Sequence, residues 1–349
     1  MASRQHNFGS ATLLLATLLS ACVCAQQESP LFNNTDPLEL TLTAPMRTLV
    51  NQRMQRRSVD GTLGYASADG NIELELEVTP RGNNRLATCA FPPMWINLKR
   101  RQLEGTVFAG QNRLKLVTPC RSGSVYEEYL ALEHLAYRIF ETVGEHAFRT
   151  RYVRMTYVDT QRNNRRTEAP AFLIEHMNEL ATRTAAQAID TDTISHDMLE
   201  PRAITIVALF EFLIGNTDWS ALAGADGDDC CHNARPLVLG ETADPRFVIA
   251  PYDFDQSGIV NAAYAQPAAS LRLRSVRERL YRGFCATNTY VSEAAARFVT
   301  ARPAIEALIA EEQLSDRART RVSNYIAEGF EILSDPQLLE RSVIANCRK

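Results

Sequence analysis

The sequence predicts an α+β fold of two lobes, a β-rich first half holding one long helix and an α-rich second half. Three observations lead there. Residues 38–120 are strand-like, most plainly at Ile72-Glu73-Leu74-Glu75-Leu76-Glu77-Val78, where apolar and acidic residues alternate without a break. One long helical pattern, Ser124 to Val143, follows. Beyond residue 176 the apolar spacing is mostly helical to the end. Strands first and helices after indicate segregated α+β or two lobes. The 349 residues, 45% hydrophobic and 22% charged, suffice for a sizeable core and exclude wholesale disorder and a polytopic membrane protein. A net charge of −4 gives no basic field for nucleic acid.

At the N-terminus, Arg4 and His6 precede an apolar run from Ala11 to Val23, too short for a comfortable span and typical of a secretory signal. Leu19-Ser20-Ala21-Cys22 resembles the bacterial lipobox. Residues 1–21 are therefore expected to be a lipoprotein-type signal peptide, Cys22 the lipidated residue, and residues 22–37 a polar tether. Cleavage after Ala25 is the alternative. Either way the protein is expected to be exported, with lipidation placing it on the periplasmic face of a bacterial membrane, as an outer-membrane lipoprotein.

The β-rich lobe is expected over 38–175. Its candidate strands are Leu38–Leu42, Ile72–Val78, Met94–Leu98 and Asn112–Val117, then Arg151–Val158 and Ala171–Glu175 joined by a polar loop. In the long helix, Ser124 and Glu127 have capping-box spacing and Gly144 can end it. Glu133 falls in the middle of the apolar face, where a carboxylate needs a cation or donors. The helical lobe, 176–349, opens with the apolar run Ile204–Ile214. Two strands, Pro236–Leu239 and Arg246–Ala250, and about four helices are expected after it. Arg272, Arg274, Arg277, Arg279 and Arg282 would form a basic helix face.

There are eight cysteines, which in an exported protein favour disulfides. Cys89 is expected to pair with Cys120, because both flank one β-rich segment. The adjacent Cys230 and Cys231 would then pair outward, towards Cys285 and Cys347. Cys230, Cys231 and His232 as the start of a zinc site is the rival reading, though no CxxC spacing supports it.

Two segments gather short acidic and amide side chains at element ends, where sites are usually built: Gly215-Asn216-Thr217-Asp218 and Ala250-Pro251-Tyr252-Asp253-Phe254-Asp255. His232-Asn233 lies between them. Phosphoryl transfer needs such a set: a carboxylate to orient the attacking hydroxyl, an Asn and an Asp to hold magnesium, and a Lys on the phosphates. Lys115, alone in the apolar strand Leu114-Lys115-Leu116-Val117, can supply the cation and Glu133 can fix it. There is no Walker motif, GxGxxG, GxSxG or HExxH. Asp226-Gly227-Asp228-Asp229 is read as a solvated acidic turn rather than a calcium loop.

Asn216-Thr217-Asp218, His232-Asn233 and Pro251-Tyr252-Asp253 resemble the C-lobe motifs of HipA-type and CotH-type atypical kinases. Arg81-Gly82-Asn83 with Arg85 is similar to the CotH-type segment that covers the nucleotide, and Phe172-Leu173-Ile174-Glu175 to the hinge strand. The likeness runs over roughly residues 75 to 258, in order. It implies a two-lobed protein-kinase-like fold, ATP and magnesium as cofactors, and phosphoryl or nucleotidyl transfer to a hydroxyl on a protein or envelope component. Asp218 would be catalytic. Asn233, Asp253 and Asp255 would hold the metal, and Arg81, Arg85, Lys115, Glu133 and Glu175 would bind nucleotide, with Lys99 as the alternative lysine. A catalytically inactive pseudokinase that binds an envelope ligand through the same cleft is the other expectation.

Overall fold

The strands form where apolar residues recur every second position. In the computed structural model, which describes Met1 and residues 29–224, 228–240, 245–268 and 270–349, the alternation at residues 72–78 becomes the middle of an eleven-residue strand. The expected signal peptide beyond Met1, the lipidated Cys22 and the tether as far as residue 28 lie outside the described residues. Strands β1 (Leu38–Ala44), β2 (Val59–Ser67) and β3 (Gly70–Pro80) pair antiparallel in turn. Helix α1 (Met46–Asn51) separates the first two, and the short α2 (Asn84–Thr88) follows β3. Strands β4 (Met94–Leu98) and β5 (Arg113–Val117) extend the sheet. After helix α3 (Ser124–Val143) come β6 (Thr150–Asp159) and β7 (Arg165–Ile174).

The sheet closes into a barrel of order β1-β2-β3-β4-β5-β7-β6. The closing seam is parallel, Leu38 opposite Val153 through Ala44 opposite Asp159. Closure follows from the pattern. Leu40 and Leu42 on one edge and Val153 and Met155 on the other all point into one apolar interior with Leu74, Leu76, Ile96 and Leu114. Joining the edges also pairs main-chain groups that an open sheet would leave free. Leu31, in the expected tether, is fully buried in this interior.

The polar linker expected between β6 and β7 is instead mostly strand. Their ladder runs on to Asp159 opposite Arg165, and Asn163 and Asn164 both take positive φ, as a tight hairpin turn requires. The side chains are polar here because the first four residues of β7, Arg165 to Glu168, are exposed.

Helix α3 begins at Ser124, but its cap is Gly123 and no side chain closes it, so the expected capping box does not form. Gly144 does end it. From Leu130 to Tyr137 every residue is buried, because barrel and helices cover it from different sides. The rest comprises α4 (Met177–Arg183), β8 (Ala186–Ala188), α5 (Pro201–Ile214), β9 (Ala234–Leu239), β10 (Arg246–Pro251), α6 (Val291–Glu311), α7 (Asp316–Ser334) and α8 (Pro336–Ser342). Strands β8, β9 and β10 form a small antiparallel sheet.

The expected kinase-like two-lobed fold is not what forms. The first half is a closed seven-strand mixed barrel. The outward faces of its β7, Phe172 and Ile174, belong to one apolar core with α3, α5, α6 and α7. His134 of α3 also contacts Glu312, just past α6, at 3.0 Å in a buried setting. Residues 271–282, expected as a basic helix face, form no helix. Arg279 instead stacks 3.8 Å from the centroid of Tyr325, and Arg282 donates to the Thr217 and Trp219 carbonyls.

Among the described residues, three disulfides join Cys89 to Cys120, Cys230 to Cys231, and Cys285 to Cys347. The first is the expected pair. The vicinal cysteines bond to each other rather than outward, which leaves Cys285 and Cys347 as partners. It also removes both thiolates from the zinc reading.

Candidate functional site

The end of α5 places the first acidic group. Gly215 ends the helix with φ +67°, and a Cβ there would lie 1.9 Å from Tyr325 Oη, so only glycine fits. The chain then turns sharply. Asn216 N–H donates to the Glu211 carbonyl at 2.7 Å, and Asn216 Oδ1 accepts from Asp218 N–H at 3.0 Å. The bonds from Arg282 to the carbonyls on either side of Asp218 brace this loop.

The strand β9 brings the next pair. His232 Nε2–H donates to Asp218 Oδ1 at 2.8 Å, and Asn233 Nδ2–H donates to Asp218 Oδ2 at 2.9 Å. Both oxygens of Asp218 thus have a donor, and its hydrogen bond pushes the His232 imidazole above its ordinary pKa. Asn233 has φ +47° and Asp253 φ +64°, both in the left-handed region that Asn and Asp tolerate best. Pro251 pairs with Ala234 across the β9–β10 ladder, and Tyr252 N–H donates to the Asn233 carbonyl at 3.1 Å. Asp253 therefore emerges beside Asn233, its N–H donating to Tyr137 Oη of α3 at 2.8 Å.

These groups line a cleft of about 520 Å³ with Arg81, Arg85, Trp95, Arg235, Tyr252 and Asp255. Its acidic end is deep. Asp255 is buried, and burial followed by repulsion from Asp253 pushes its carboxyl up to about 7. Asp255 Oδ2 and Arg85 Nε lie 3.8 Å apart, each without a hydrogen bond. Arg85 reaches beneath them to Glu133, at 2.9 and 3.2 Å, and to the Thr118 carbonyl. Burial pushes Glu133 up to about 8 despite that partner.

The other end is cationic and aromatic. Trp95 and Lys115 are opposed in the β4–β5 ladder and point outward from the barrel. Lys115 Nζ sits 4.2 Å from the Tyr252 ring centroid, 5.2 Å from that of Phe148 and 5.7 Å from that of Trp95. Arg81 and Arg113 also lie over Trp95, and Arg235 over Tyr252. Burial first, then Arg81 and Arg235, drives the Lys115 amine well below its ordinary pKa.

The cleft thus gathers Asp218, Asn233, Asp253, Asp255, Arg81 and Arg85, with Lys115 behind its aromatic wall and Glu133 under its floor. Three sequence expectations require correction. Glu133 holds Arg85 rather than Lys115, because α2 carries the guanidinium onto the buried face of α3. Glu175 does not line the cleft; it is buried against Arg183 at 2.8 Å and the Arg149 N–H at 3.2 Å, where it braces the end of β7. Lys99 pairs with Glu77 on the surface at 3.0 Å and is not the alternative cation. Of the acidic turn, Asp228 and Asp229 line the cleft, while Asp226 and Gly227 lie outside the described residues.

Sequence reasoning passed over Arg235, Tyr252, Trp95 and Arg56 as site residues. Arg235 had a usable signal, lying two residues past Asn233 at the start of a strand, on the same face. Arg56 had none: it enters from the β1–β2 connection by donating to Gly82 O at 2.9 Å and Asn83 Oδ1 at 2.7 Å.

Among the described residues, no group of three or more His, Cys, Asp or Glu side chains is placed to hold a metal ion. Asp253 and Asp255 are the adjacent carboxylates a metal could share with a ligand. Magnesium ordinarily binds through one or two carboxylates completed by phosphate oxygens and water, so this donor set fits a magnesium phosphate rather than a bare ion. The chain matches no family model, and no curated protein matches it.

Proposed function

We propose that this cleft binds a magnesium-bound phosphorylated ligand, with a nucleotide such as ATP as the first case, and passes a phosphoryl or nucleotidyl group to a hydroxyl. The observation that carries the reading is the polarity of the cleft. Asp218, Asp253 and Asp255 share one cavity with Arg81 and Arg235, with Trp95 and Tyr252 beside the arginines and Lys115 behind that aromatic wall. A ligand with a phosphate chain and a flat ring satisfies both ends. Arg81 and Arg235 would meet phosphate oxygens, and Trp95 offers a face for a base. Asp253 and Asp255 would hold magnesium, which neutralises charge on the transferring group. Asp218 would orient the acceptor hydroxyl, with His232 as its proton partner. The acceptor would be a protein or another component of the cell envelope. Export of the chain, with Cys22 as its membrane anchor, is part of the same proposal, and three disulfides support an oxidising location.

A second reading, binding without transfer, draws on one specific contact. Asn233 and His232 each donate to one carboxylate oxygen of Asp218, so about half of its acceptor positions already serve to hold the β9 connection.

Calorimetric titration of the oxidised protein with magnesium ATP, beside Asp253→Ala and Arg235→Ala, tests the cleft. Magnesium-dependent binding that both substitutions weaken is the expected result. No heat at millimolar ATP from folded protein would exclude the nucleotide. Binding without label passing from the γ-phosphate to any hydroxyl acceptor would select the second reading.

A further inference from the structure

The barrel has a second cavity, at the mouth covered by α1. It measures about 360 Å³, within the range of small-molecule sites, and barrel mouths are common places for them. Met46 of α1, Phe91 and Tyr157 make an apolar floor. Tyr157 points into the barrel interior with Val153 and Met155 and is 5% exposed. Its hydroxyl is buried and has no hydrogen-bond partner, an arrangement that is costly unless something supplies an acceptor.

The rim is charged. Asp159 is engaged with Arg162 at 3.7 Å and with the Gln161 N–H at 3.1 Å. That leaves Arg47, Arg121 and Arg165 against Glu127 and Glu168, a net positive rim. The wall is preformed, because the Cys89–Cys120 bridge fixes it and the Ala90 and Phe91 N–H groups both donate to the Cys120 carbonyl, at 2.9 and 3.3 Å.

We propose that this mouth is a separate binding site for a small anionic amphiphile, an apolar chain or ring bearing one carboxylate-like head. The apolar part lies on Met46 and Phe91, one head-group oxygen accepts from Tyr157 Oη, and the arginine rim balances the charge. Nothing in this site depends on the Asp218 cleft.

The test is displacement of 1-anilinonaphthalene-8-sulfonate from the oxidised protein, followed by fluorescence, with decanoate and decylamine as competitors. The expected result is saturable binding to one site, displaced by decanoate and not by decylamine. Tyr157→Phe should weaken decanoate about fivefold, the value of one hydrogen bond. Arg121 is exposed, so Arg121→Glu leaves folding intact and should weaken decanoate by a similar factor. Absence of saturable binding, equal displacement by decylamine, or wild-type decanoate affinity in both variants would overturn the proposal.

Discussion

Arg85 Nη1 donates to both carboxylate oxygens of Glu133, at 2.9 and 3.2 Å, and the pair is almost fully buried beneath the cleft. One guanidinium thus stands among Glu133, Asp255 and Asp253, all of which act on it electrostatically. That imbalance, together with burial, is why Glu133 and Asp255 hold their protons above the usual carboxyl range. It connects the fold to the proposed chemistry, because α2, α3 and the segment after β10 meet here.

Removing Arg85 should therefore cost more than removing the pair. Arg85→Ala removes the cation that Glu133 needs once it ionises, so a loss of about 3–5 kcal/mol is expected by urea denaturation at about pH 9, shrinking as the acid is protonated at lower pH. The double substitution Arg85→Met with Glu133→Leu should cost less than Arg85→Ala, since it also removes the Glu133 carboxyl and leaves Asp255 as the buried acid without this cation.

The same acids set a pH dependence. Folding raises Glu133 from 4.5 to about 8 and Asp255 from 3.8 to about 7, so the folded state holds extra protons. Their contribution to stability is present in full below the unfolded values and is lost as pH rises through about 7 to 8. Thermal melts from about pH 5 to pH 9 should show that loss, and Asp255→Asn should flatten it. If magnesium binds at Asp253 and Asp255 as proposed, it must displace the Asp255 proton, so magnesium-dependent ATP binding should strengthen as pH rises towards about 7.

Lys115 gives the opposite sign. Its amine is held far below the ordinary 10.5 by burial, and below it further by Arg81 and Arg235. A lysine depressed by folding withdraws stability as pH falls below its unfolded value. Lys115→Met fills the same space without that cost, so it should melt higher than the wild type near neutral pH. The difference should close as the medium approaches pH 10.5. A variant that melts lower near neutral pH would show that Lys115 is charged and paired in the folded state.

How far the sequence could be read depends on the range of the interactions. Local periodicity located the strand at residues 72–78 and the helix at Ser124–Val143, because each depends on near neighbours. Glu133 was legible as buried, since its own helix supplies the apolar neighbours. Its partner was not. Lys115 and Arg85 lie 18 and 48 residues away, and only the α2–α3 approach decides between them. Barrel closure was hidden for the same reason, since it rests on parallel pairing of Leu38–Ala44 with a strand that begins over a hundred residues later. The acidic and amide members of the cleft were visible as short polar residues at element ends. The aromatic wall was not, because only the fold brings Trp95 of β4 and Tyr252 after β10 around Lys115, and nothing local to either residue shows it.

The contact between His232 and Asp218 yields the sharpest test of the proposed chemistry. The Asp218 hydrogen bond raises the imidazole above its ordinary 6.5. By linkage, His232 stabilises the fold fully below its unfolded pKa, and that stabilisation disappears as pH rises through the folded value. Asp218→Asn keeps the shape, removes the charge and should let the imidazole fall back, as followed by its ring proton resonances in NMR titration. If Asp218 orients the acceptor hydroxyl, the same substitution should cut transfer about 10²–10⁴-fold while magnesium ATP still binds. The converse change, His232→Gln, retains a donor to Asp218 and should weaken transfer less than Asp218→Asn does. Equal transfer in Asp218→Asn and the wild type would remove Asp218 from the chemistry and leave its role as an anchor for the β9 connection.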